Sequence, residues 1–477
     1  MNSTSPDQTP AELDASKLIT ELMQRSRAAQ AVIEDYSQEQ IDDLLRAMVW
    51  SCCQPGVAEE LAQHTLDETQ LGDYNGKFLK ISVKPRAALM DIIDDKSVGV
   101  IEEDLERNII KIAKPAGVIG ALSPSTNPEA TPVIKGINAV KGRNSIIIAP
   151  HPRAKLTNKL IVDRMRAALV EMGAPADLVI GIETPTIEST EELMRQCDLI
   201  LATGGYGMVK AAYSSGTPAL GVGAGNAVIT VDETADLDDA AEKIRISKTL
   251  DLAASCSSDN SVIVIESVYD AMLEKLIAQG GYLANSDDYK KIAAVLWKDG
   301  SLNTQAVVKT PQVLCAMAGV DIPADRLFII MPETGTGPDY PYSGEKLSTI
   351  MAFYKVKDID EAVALTNEIQ TYQGMGHSCG IYSTSDENIL KIGLGTKTSR
   401  VMVNQPQAPS NSGNLWNGLR QTFSLGCGTW GGNSTNDNIN WKNLVNITWV
   451  SKPLAVPKTL PADEDLFGSV MERVGRG

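Results

Sequence analysis

Residues 117–154 read GVIGALSPSTNPEATPVIKGINAVKGRNSIIIAPHPRA and contain two strand-sized apolar runs, Gly117–Leu122 and Ser145–Ala149. Helical patterns follow, such as Ala154–Met172, which Gly173 ends, and Ile187–Gln196. Strands that alternate with helices are typical of βαβ units around a parallel sheet. The sequence therefore predicts a doubly wound α/β arrangement, the usual host of a dinucleotide. Further candidate strands are Leu178–Ile182, Asp198–Ala202, Ala227–Val231 and Ser261–Ile265.

The alternation continues after Cys256 and predicts a second α/β domain. We expect a dinucleotide-binding domain at 15–245 plus about 428–450, a catalytic domain at 246–427, and polar tails at 1–14 and 451–477. One candidate helix of the second domain is Ile359–Ile369. Its candidate strands are Ala306–Val308, Leu327–Ile330, Met351–Lys355, Cys379–Tyr382 and Val401–Val403.

Composition excludes several classes of protein. The chain has 43 Lys and Arg against 60 Asp and Glu, a net charge of −17 that repels nucleic acid and anionic membranes. No apolar run has the length of a membrane span, and the start MNSTSPDQTPAELD lacks the pattern of a secretory signal. Seven cysteines without a CxxC pair and three scattered histidines fit neither a disulfide framework nor a metal centre. We expect a cytoplasmic protein that binds no metal, nucleic acid or membrane.

Two glycine clusters lie at the ends of predicted strands. ATGGYGMVKAA (202–212) joins a strand to a helix, and ALGVGAGNAV (219–228) precedes another strand. Glycines in such a turn let backbone amides approach a pyrophosphate at a helix N-terminus, although they also serve simple tight turns. Neither cluster is a complete GxGxxG motif.

Two further residues have side chains suited to carbonyl chemistry. Cys256, in LDLAASCSSDNSVIVIE (250–266), has small neighbours that would leave a nucleophile accessible, although a lone cysteine also serves as a small buried hydrophobe. Cys379 and Cys427 are competing candidates in glycine-dense segments. Asn127 lies between proline turns after a strand, where its amide could donate to an oxyanion or simply form the turn.

Five ordered motifs together resemble the CoA-acylating aldehyde dehydrogenases. They cover nearly the whole chain from about Ala15 to Val450, and as a set they are far more specific than any one alone. The resemblance implies an aldehyde dehydrogenase-like fold, with two doubly wound α/β domains and the active site in the cleft between them. The motifs are Gly117–Ala154, Ile200–Leu237, EKLS at Glu345–Ser348, GMGHSCGIY at Gly374–Tyr382 and SLGCGTWGGNS at Ser424–Ser434.

The resemblance also implies roles for single residues. Cys256 matches the nucleophile, Asn127 the oxyanion-hole asparagine, and Glu345 the glutamate that contacts the nicotinamide ribose. His377 matches a histidine of the acylating branch and is either catalytic or a hydrogen-bonded structural residue. The residues that match the cofactor-binding loops are Thr203, Gly204, Gly205, Gly207 and Gly225.

One residue type is absent from the expected place. Hydrolytic aldehyde dehydrogenases have a glutamate general base on the segment that here reads ALGVGAGN, where the matching position falls at or next to Val222. Without a base to activate water, a thioester should survive until a thiol arrives. The sequence therefore favours reversible acyl transfer to CoA, and a hydrolytic enzyme that releases a free acid is the alternative.

Several details stay open. His151 and Arg153 are the polar candidates near the adenosine ribose, so NAD and NADP are both possible cofactors, beside CoA as cosubstrate. Among sulfoacetaldehyde, acetaldehyde and succinate semialdehyde, residues 404–430 favour sulfoacetaldehyde, whose anionic tail Arg420 could bind unless it is a surface arginine. The resemblance implies a homodimer or homotetramer. It leaves open a location in a bacterial microcompartment.

Overall fold

A computed structural model describes residues 9–474. Its helices are α1 (Pro10–Ile33), α2 (Gln38–Cys53), α3 (Val57–Thr69), α4 (Tyr74–Ile92), α5 (Thr131–Lys141), α6 (Lys155–Glu171), α7 (Ile187–Gln196), α8 (Tyr206–Ser214), α9 (Leu237–Thr249), α10 (Tyr269–Ala278), α11 (Ser286–Leu296), α12 (Pro311–Met317), α13 (Ile359–Tyr372), α14 (Asp386–Gly395), α15 (Gln407–Ser410), α16 (Asp463–Phe467) and α17 (Val470–Val474). None of these helices is long and apolar enough to cross a membrane.

The strands form two parallel sheets and two small antiparallel ones. They are β1 (Gly99–Asp104), β2 (Ile109–Pro115), β3 (Val118–Ser123), β4 (Ser145–Pro150), β5 (Val179–Gly181), β6 (Leu199–Thr203), β7 (Ala219–Val222), β8 (Ala227–Val231), β9 (Asp259–Ile265), β10 (Gly281–Leu283), β11 (Trp297–Lys298), β12 (Ser301–Leu302), β13 (Phe328–Pro332), β14 (Ile350–Val356), β15 (Cys379–Tyr382), β16 (Val401–Val403) and β17 (Val445–Ser451).

The first parallel sheet has the order β5-β4-β3-β6-β7. β3 and β4 are buried along their whole length, which explains why their sequences are continuous apolar runs. Because the strand order reverses between β3 and β6, the carboxyl ends of these two strands frame the crevice where doubly wound sheets bind ligands.

The second parallel sheet has the order β10-β13-β14-β9-β8-β15-β16. Its core lies on both faces, with Ile263 and Ile329 on one side and Val262 and Phe353 on the other. The mixed α/β architecture predicted from the sequence is confirmed.

The border between the sheets differs from the predicted division at 245/246. β8 already pairs with β9 and β15 of the second sheet, so the chain leaves the first sheet after Val222 and enters the second at Ala227. No helix separates β7 from β8. The predicted division at 245/246 falls within α9, about one helix after the point where the chain passes from the first sheet to the second. At the other end, β17 pairs with β2 in the sheet β1-β2-β17, which contains no strand of the five-stranded sheet.

Two smaller predictions also need correction. Ala306–Val308 is not a strand, because Val308 has a left-handed φ of 54° and Ala306 closes a turn on Asn303. Of the predicted tail 1–14, residues 1–8 lie outside the described residues, whereas α1 begins at Pro10 with a capping box from Thr9. The predicted tail 451–477 includes the short helices α16 and α17, and residues 475–477 lie outside the described part.

Candidate active site

Cys256 lies on the loop that leads into β9 of the second sheet, and its side chain packs against the core of the first. Gly225, from the short connection between the sheets, approaches it so closely that a Cβ at this position would overlap the Cys256 carbonyl oxygen. Only glycine fits this approach. The structure therefore places Gly225 against Cys256 and gives it a packing role there.

His377 contacts Cys256 directly. Its Nε2 lies 3.2 Å from the Cys256 Sγ, and its Nδ1 lies 2.8 Å from the Ser378 Oγ. Burial and the nearby Arg400 lower the pKa of His377 to about 3, so the imidazole is neutral at physiological pH. A neutral imidazole that donates from Nδ1 to Ser378 has its Nε2 lone pair free to accept the thiol proton.

The Cys256 thiol is protonated at rest. Burial, with smaller effects from Glu345 and Cys427, raises its pKa to about 12. Because few thiolates exist at neutral pH, a proton acceptor in contact with Sγ is needed for nucleophilic attack, and His377 is in that position.

Glu345 is also buried close to the nucleophile. Its Oε1 accepts a hydrogen bond from the Gly225 backbone N–H at 3.2 Å, and burial raises its pKa to about 8. The carboxyl is therefore mainly protonated at neutral pH. Glu345 and Cys256 thus both contact Gly225, and the contact of Glu345 with the nicotinamide ribose stays a prediction.

Asn127 follows β3 at the crevice, and its main-chain and side-chain atoms have different contacts. Its backbone oxygen accepts from the Thr131 N–H at 3.1 Å and the Thr131 hydroxyl at 2.6 Å, which fixes the turn at the start of α5. Its side-chain amide makes one 3.3 Å contact with the Thr126 Oγ1, and its buried Oδ1 has no hydrogen-bond partner among the described residues. The amide is thus positioned by its backbone, and most of its hydrogen-bonding capacity is available.

The turn between β6 and α8 fits a pyrophosphate. Thr203 ends β6, Gly205 is the N-cap of α8, and a Cβ on Gly205 or Gly207 would meet no atom within 4 Å. Open glycines ahead of a helix N-terminus at a switch point offer backbone N–H groups to an anion. Gly204 instead packs near Met208. The residues present therefore fit a dinucleotide.

His151 lies at the same edge of the first sheet, directly after β4. Its Nδ1 accepts from the Arg153 N–H at 3.1 Å, and burial together with the Arg153 charge lowers its pKa. The Arg153 guanidinium donates to the Thr69 carbonyl at 2.7 Å. Arg153 is thus partly engaged within the protein.

Arg420 has a partner that the sequence did not suggest. Its guanidinium lies 3.2 Å from Asp95, which also accepts a 2.8 Å hydrogen bond from the Trp441 indole. The contacts of Arg420 do not join it to Cys256, Asn127 or His377. The structure joins Cys256 to His377 directly and to Glu345 through Gly225. Asn127 lies on the turn after β3, and the charge of Arg420 is balanced by Asp95.

Sequence reasoning missed Arg400. Its buried guanidinium donates to the carbonyls of His377 at 2.8 Å and Gly426 at 2.6 Å, and to the Asn438 side chain at 2.6 Å. It therefore joins the His377 turn to the segment around Cys427. No signal marked it, because a single arginine in KTSRVMV resembles a surface residue.

Comparison with known proteins identifies the family of this chain. The family model described as the aldehyde dehydrogenase family matches residues 83–294. A sulfoacetaldehyde dehydrogenase of Acholeplasma sp is 43% identical over 463 residues, which cover 96% of this chain and 95% of that protein. The chain belongs to the acylating branch of the aldehyde dehydrogenase family.

Solved structures agree with the family. An acetylating aldehyde dehydrogenase from Geobacillus thermoglucosidasius superposes with a TM-score of 0.90 at 36% identity, over 95% of this chain and 100% of the other. A propionaldehyde dehydrogenase from Rhodopseudomonas palustris, solved with bound CoA and an acylated cysteine, gives 0.80 at 25% identity over 91% and 97%. The aldehyde dehydrogenase-like fold predicted from the motifs is confirmed.

The contact between His377 and Cys256 gives a testable pH dependence in this family member. Replacing His377 with alanine should slow alkylation of Cys256 by iodoacetamide at pH 7 by roughly 10²-fold, the lower range for loss of a general base. The difference should narrow as the pH rises towards the thiol pKa of about 12, because thiolate then forms without His377. Labelling followed by mass spectrometry of the Cys256 peptide measures both rates.

A matched variant distinguishes the loss of the imidazole nitrogen that accepts the proton from the loss of side-chain volume. His377→Leu fills the space without a proton acceptor and should behave like His377→Ala. Equal alkylation rates for wild type and both variants at pH 7 would show that His377 does not accept the thiol proton.

Proposed function

We propose that this chain is a CoA-acylating aldehyde dehydrogenase that converts a short-chain aldehyde, CoA and NAD(P)+ reversibly into the acyl-CoA and NAD(P)H. The observation that carries the proposal is the 3.2 Å contact between the Cys256 Sγ and the His377 Nε2, next to the segment ALGVGAGN, which has no carboxylate. The contact places a proton acceptor on the thiol, which nucleophilic attack on a carbonyl requires because the thiol is protonated at rest. The acylated cysteine and bound CoA of the structural relative support the same chemistry.

The residues act in two half-reactions. His377 takes the thiol proton, and the Cys256 sulfur adds to the aldehyde carbon while the Asn127 amide donates to the resulting oxyanion. A nicotinamide cofactor, held through the turn Thr203–Gly207, would supply the two-electron hydride acceptor, and Cys256 would then carry the acyl group as a thioester. CoA thiolate then adds to the thioester carbonyl, the acyl group passes to CoA, and Cys256 leaves as a thiolate that is reprotonated.

Val222 supports acyl transfer over hydrolysis. It ends β7, is 2% exposed and packs in the core of the first sheet. An apolar side chain at this position cannot activate water. Glu345, with its pKa near 8, is the carboxyl close to Cys256 that could do so instead, and it defines the alternative to test.

The deciding experiment measures nicotinamide reduction with and without CoA. We expect sustained turnover with CoA and at most one equivalent of reduced cofactor per active site without it. Sustained turnover without CoA would contradict the proposal. If this CoA-independent turnover were lost in Glu345→Gln, the hydrolysis would be assigned to Glu345. The acyl-CoA product should be detected by mass spectrometry.

Sulfoacetaldehyde is the substrate that we propose, ahead of acetaldehyde and succinate semialdehyde, because the 43% identical relative carries that name. Arg420 stays our candidate for the sulfonate, which would have to share the guanidinium with Asp95. Comparing kcat/KM for the three aldehydes, each with NAD and with NADP, ranks substrates and cofactors together.

The remaining roles are part of the same proposal. Thr203, Gly204, Gly205 and Gly207 would bind the pyrophosphate and His151 the adenosine ribose, while Gly225 supports the nucleophile. A homodimer or homotetramer is supported by β17, a sheet edge with Trp449 59% exposed. The cytoplasmic or microcompartment location stays a prediction.

A further inference from the structure

A buried cluster of four charged side chains lies beside the active site and takes no part in the chemistry described above. Lys77 and Lys80 come from α4, Glu129 follows the oxyanion turn, and Asp251 precedes the nucleophile. The Lys77 Nζ lies 2.8 Å from the Asp251 Oδ2 and 4.0 Å from the Glu129 Oε2, and Lys80 binds the same Asp251 oxygen. All four side chains are at most 6% exposed. Burying such charges is costly, so the cluster requires an explanation.

Asp251 fixes an unusual stretch of backbone ahead of the nucleophile. Residues 251–253 have left-handed φ values of 49°, 51° and 64°, a conformation that non-glycine residues rarely adopt. The Asp251 Oδ1 accepts from the Asp73 N–H at 3.0 Å, at the start of α4. A Cβ on Gly72 or Gly76 would overlap the Asp251 side chain, so these glycines make room for it.

The lysines extend the cluster to both catalytic segments. The Lys77 Nζ donates to the Thr126 carbonyl at 2.7 Å, one residue before Asn127. The Lys80 Nζ donates to the Ala254 carbonyl at 3.0 Å, two residues before Cys256. One carboxylate and two ammonium groups thus join a turn of the first sheet to a loop of the second.

We propose that Lys77 and Asp251 are positioning residues that set the distance between the Asn127 amide and the Cys256 sulfur. Neither residue touches the reacting atoms. An oxyanion donor works only within a few tenths of an ångström of its place, and these two groups are on separate segments, so a rigid bridge between them is a requirement of the chemistry. The inference rests on the proposed function, because it assumes the roles of Asn127 and Cys256.

A double-mutant cycle tests the bridge. Lys77→Met keeps the length of the side chain and removes both hydrogen bonds, and it should lower the single-turnover rate of nicotinamide reduction by about 10- to 100-fold, below the full effect of losing an oxyanion donor. In an Asn127→Ala background the same change should cost less than about threefold, because Lys77 acts through Asn127. The KM for CoA should change by less than about twofold.

Lys141→Met is the matched control. Lys141 is a buried lysine that pairs with Asp42 at 2.7 Å and contacts neither catalytic segment, so its loss should lower the melting temperature and leave the single-turnover rate unchanged. If Lys77→Met does not fold, Lys77→Gln enters the same cycle, with the same expected non-additivity.

The outcomes separate this inference from the proposed function. If the proposed function is wrong, the wild-type chain fails to show CoA-dependent turnover. If only the bridge is wrong, the wild type turns over and the Lys77 and Asn127 effects multiply, as they would for independent contributions to stability or catalysis.

Discussion

Replacing Cys256 with alanine should abolish CoA-dependent nicotinamide reduction, with residual turnover below about 10⁻⁴ of wild type, because the proposed acyl intermediate is bound to this sulfur. The fold should survive, since the side chain is only partly buried and Gly225 contacts mainly its backbone. Steady-state turnover measures the loss of activity, and the melting temperature measures the retention of the fold. Binding of the nicotinamide cofactor should persist, because the Thr203–Gly207 turn is untouched.

Two other buried cysteines, the competing candidate Cys379 and the core residue Cys197, provide the controls for this prediction. Cys379 contacts Thr396 and Thr398 inside the second sheet, and Cys197 packs against Gly120 in the first. Alanine at either position should leave kcat within about threefold of wild type while lowering stability. Activity that survived in Cys256→Ala and disappeared in Cys379→Ala would move the nucleophile to the other residue.

Replacing Asn127 with alanine should lower kcat by roughly 10² to 10³, the usual scale for one oxyanion donor. The two hydrogen bonds that the Asn127 carbonyl accepts from the Thr131 N–H and hydroxyl remain in this variant, so the turn should persist and the KM for the nicotinamide cofactor should change little. Stopped-flow measurement of the first turnover isolates the affected step.

Asn138→Ala is the control for the loss of an amide side chain from the same region. Asn138 is 3% exposed on α5, and its side chain donates to the Ile134 carbonyl at 2.8 Å, away from the crevice. Its kcat should stay near that of wild type. A loss of less than about fivefold in Asn127→Ala would show that the oxyanion is stabilised by another group.

Much of the fold was predictable because the sequences of buried parallel strands are nearly continuous apolar runs. β4, β8 and β15 were found to within a residue, since each is bounded by turn residues and apolar throughout. β1 and β2 were missed, because exposed strands around the turn at Asn108 mix charged and apolar residues without a clear period. The opposite error occurs at Ala306–Val308, where an apolar run predicted to be a strand forms a turn with a left-handed φ at Val308.

The site was less accessible to sequence reasoning than the fold. Cys256 and His377 are 121 residues apart and no local pattern joins them, and the family resemblance gave each residue a role without predicting their contact. Lys77 and Lys80 carry no signal at all, because charged residues on a helix ordinarily face solvent. Their burial depends on Asp251, 174 residues from Lys77 along the chain. Long-range contacts of this kind are decided by packing.

The short connection from β7 to β8 joins the two parallel sheets and also lies against Cys256. Gly225 contacts Cys256, and Asn226 donates to the carbonyls of Ser343 and Gln373, close to Glu345. The four residues that join the two parallel sheets therefore also form the immediate surroundings of Cys256, so the link between the sheets and the environment of this sulfur depend on the same short segment.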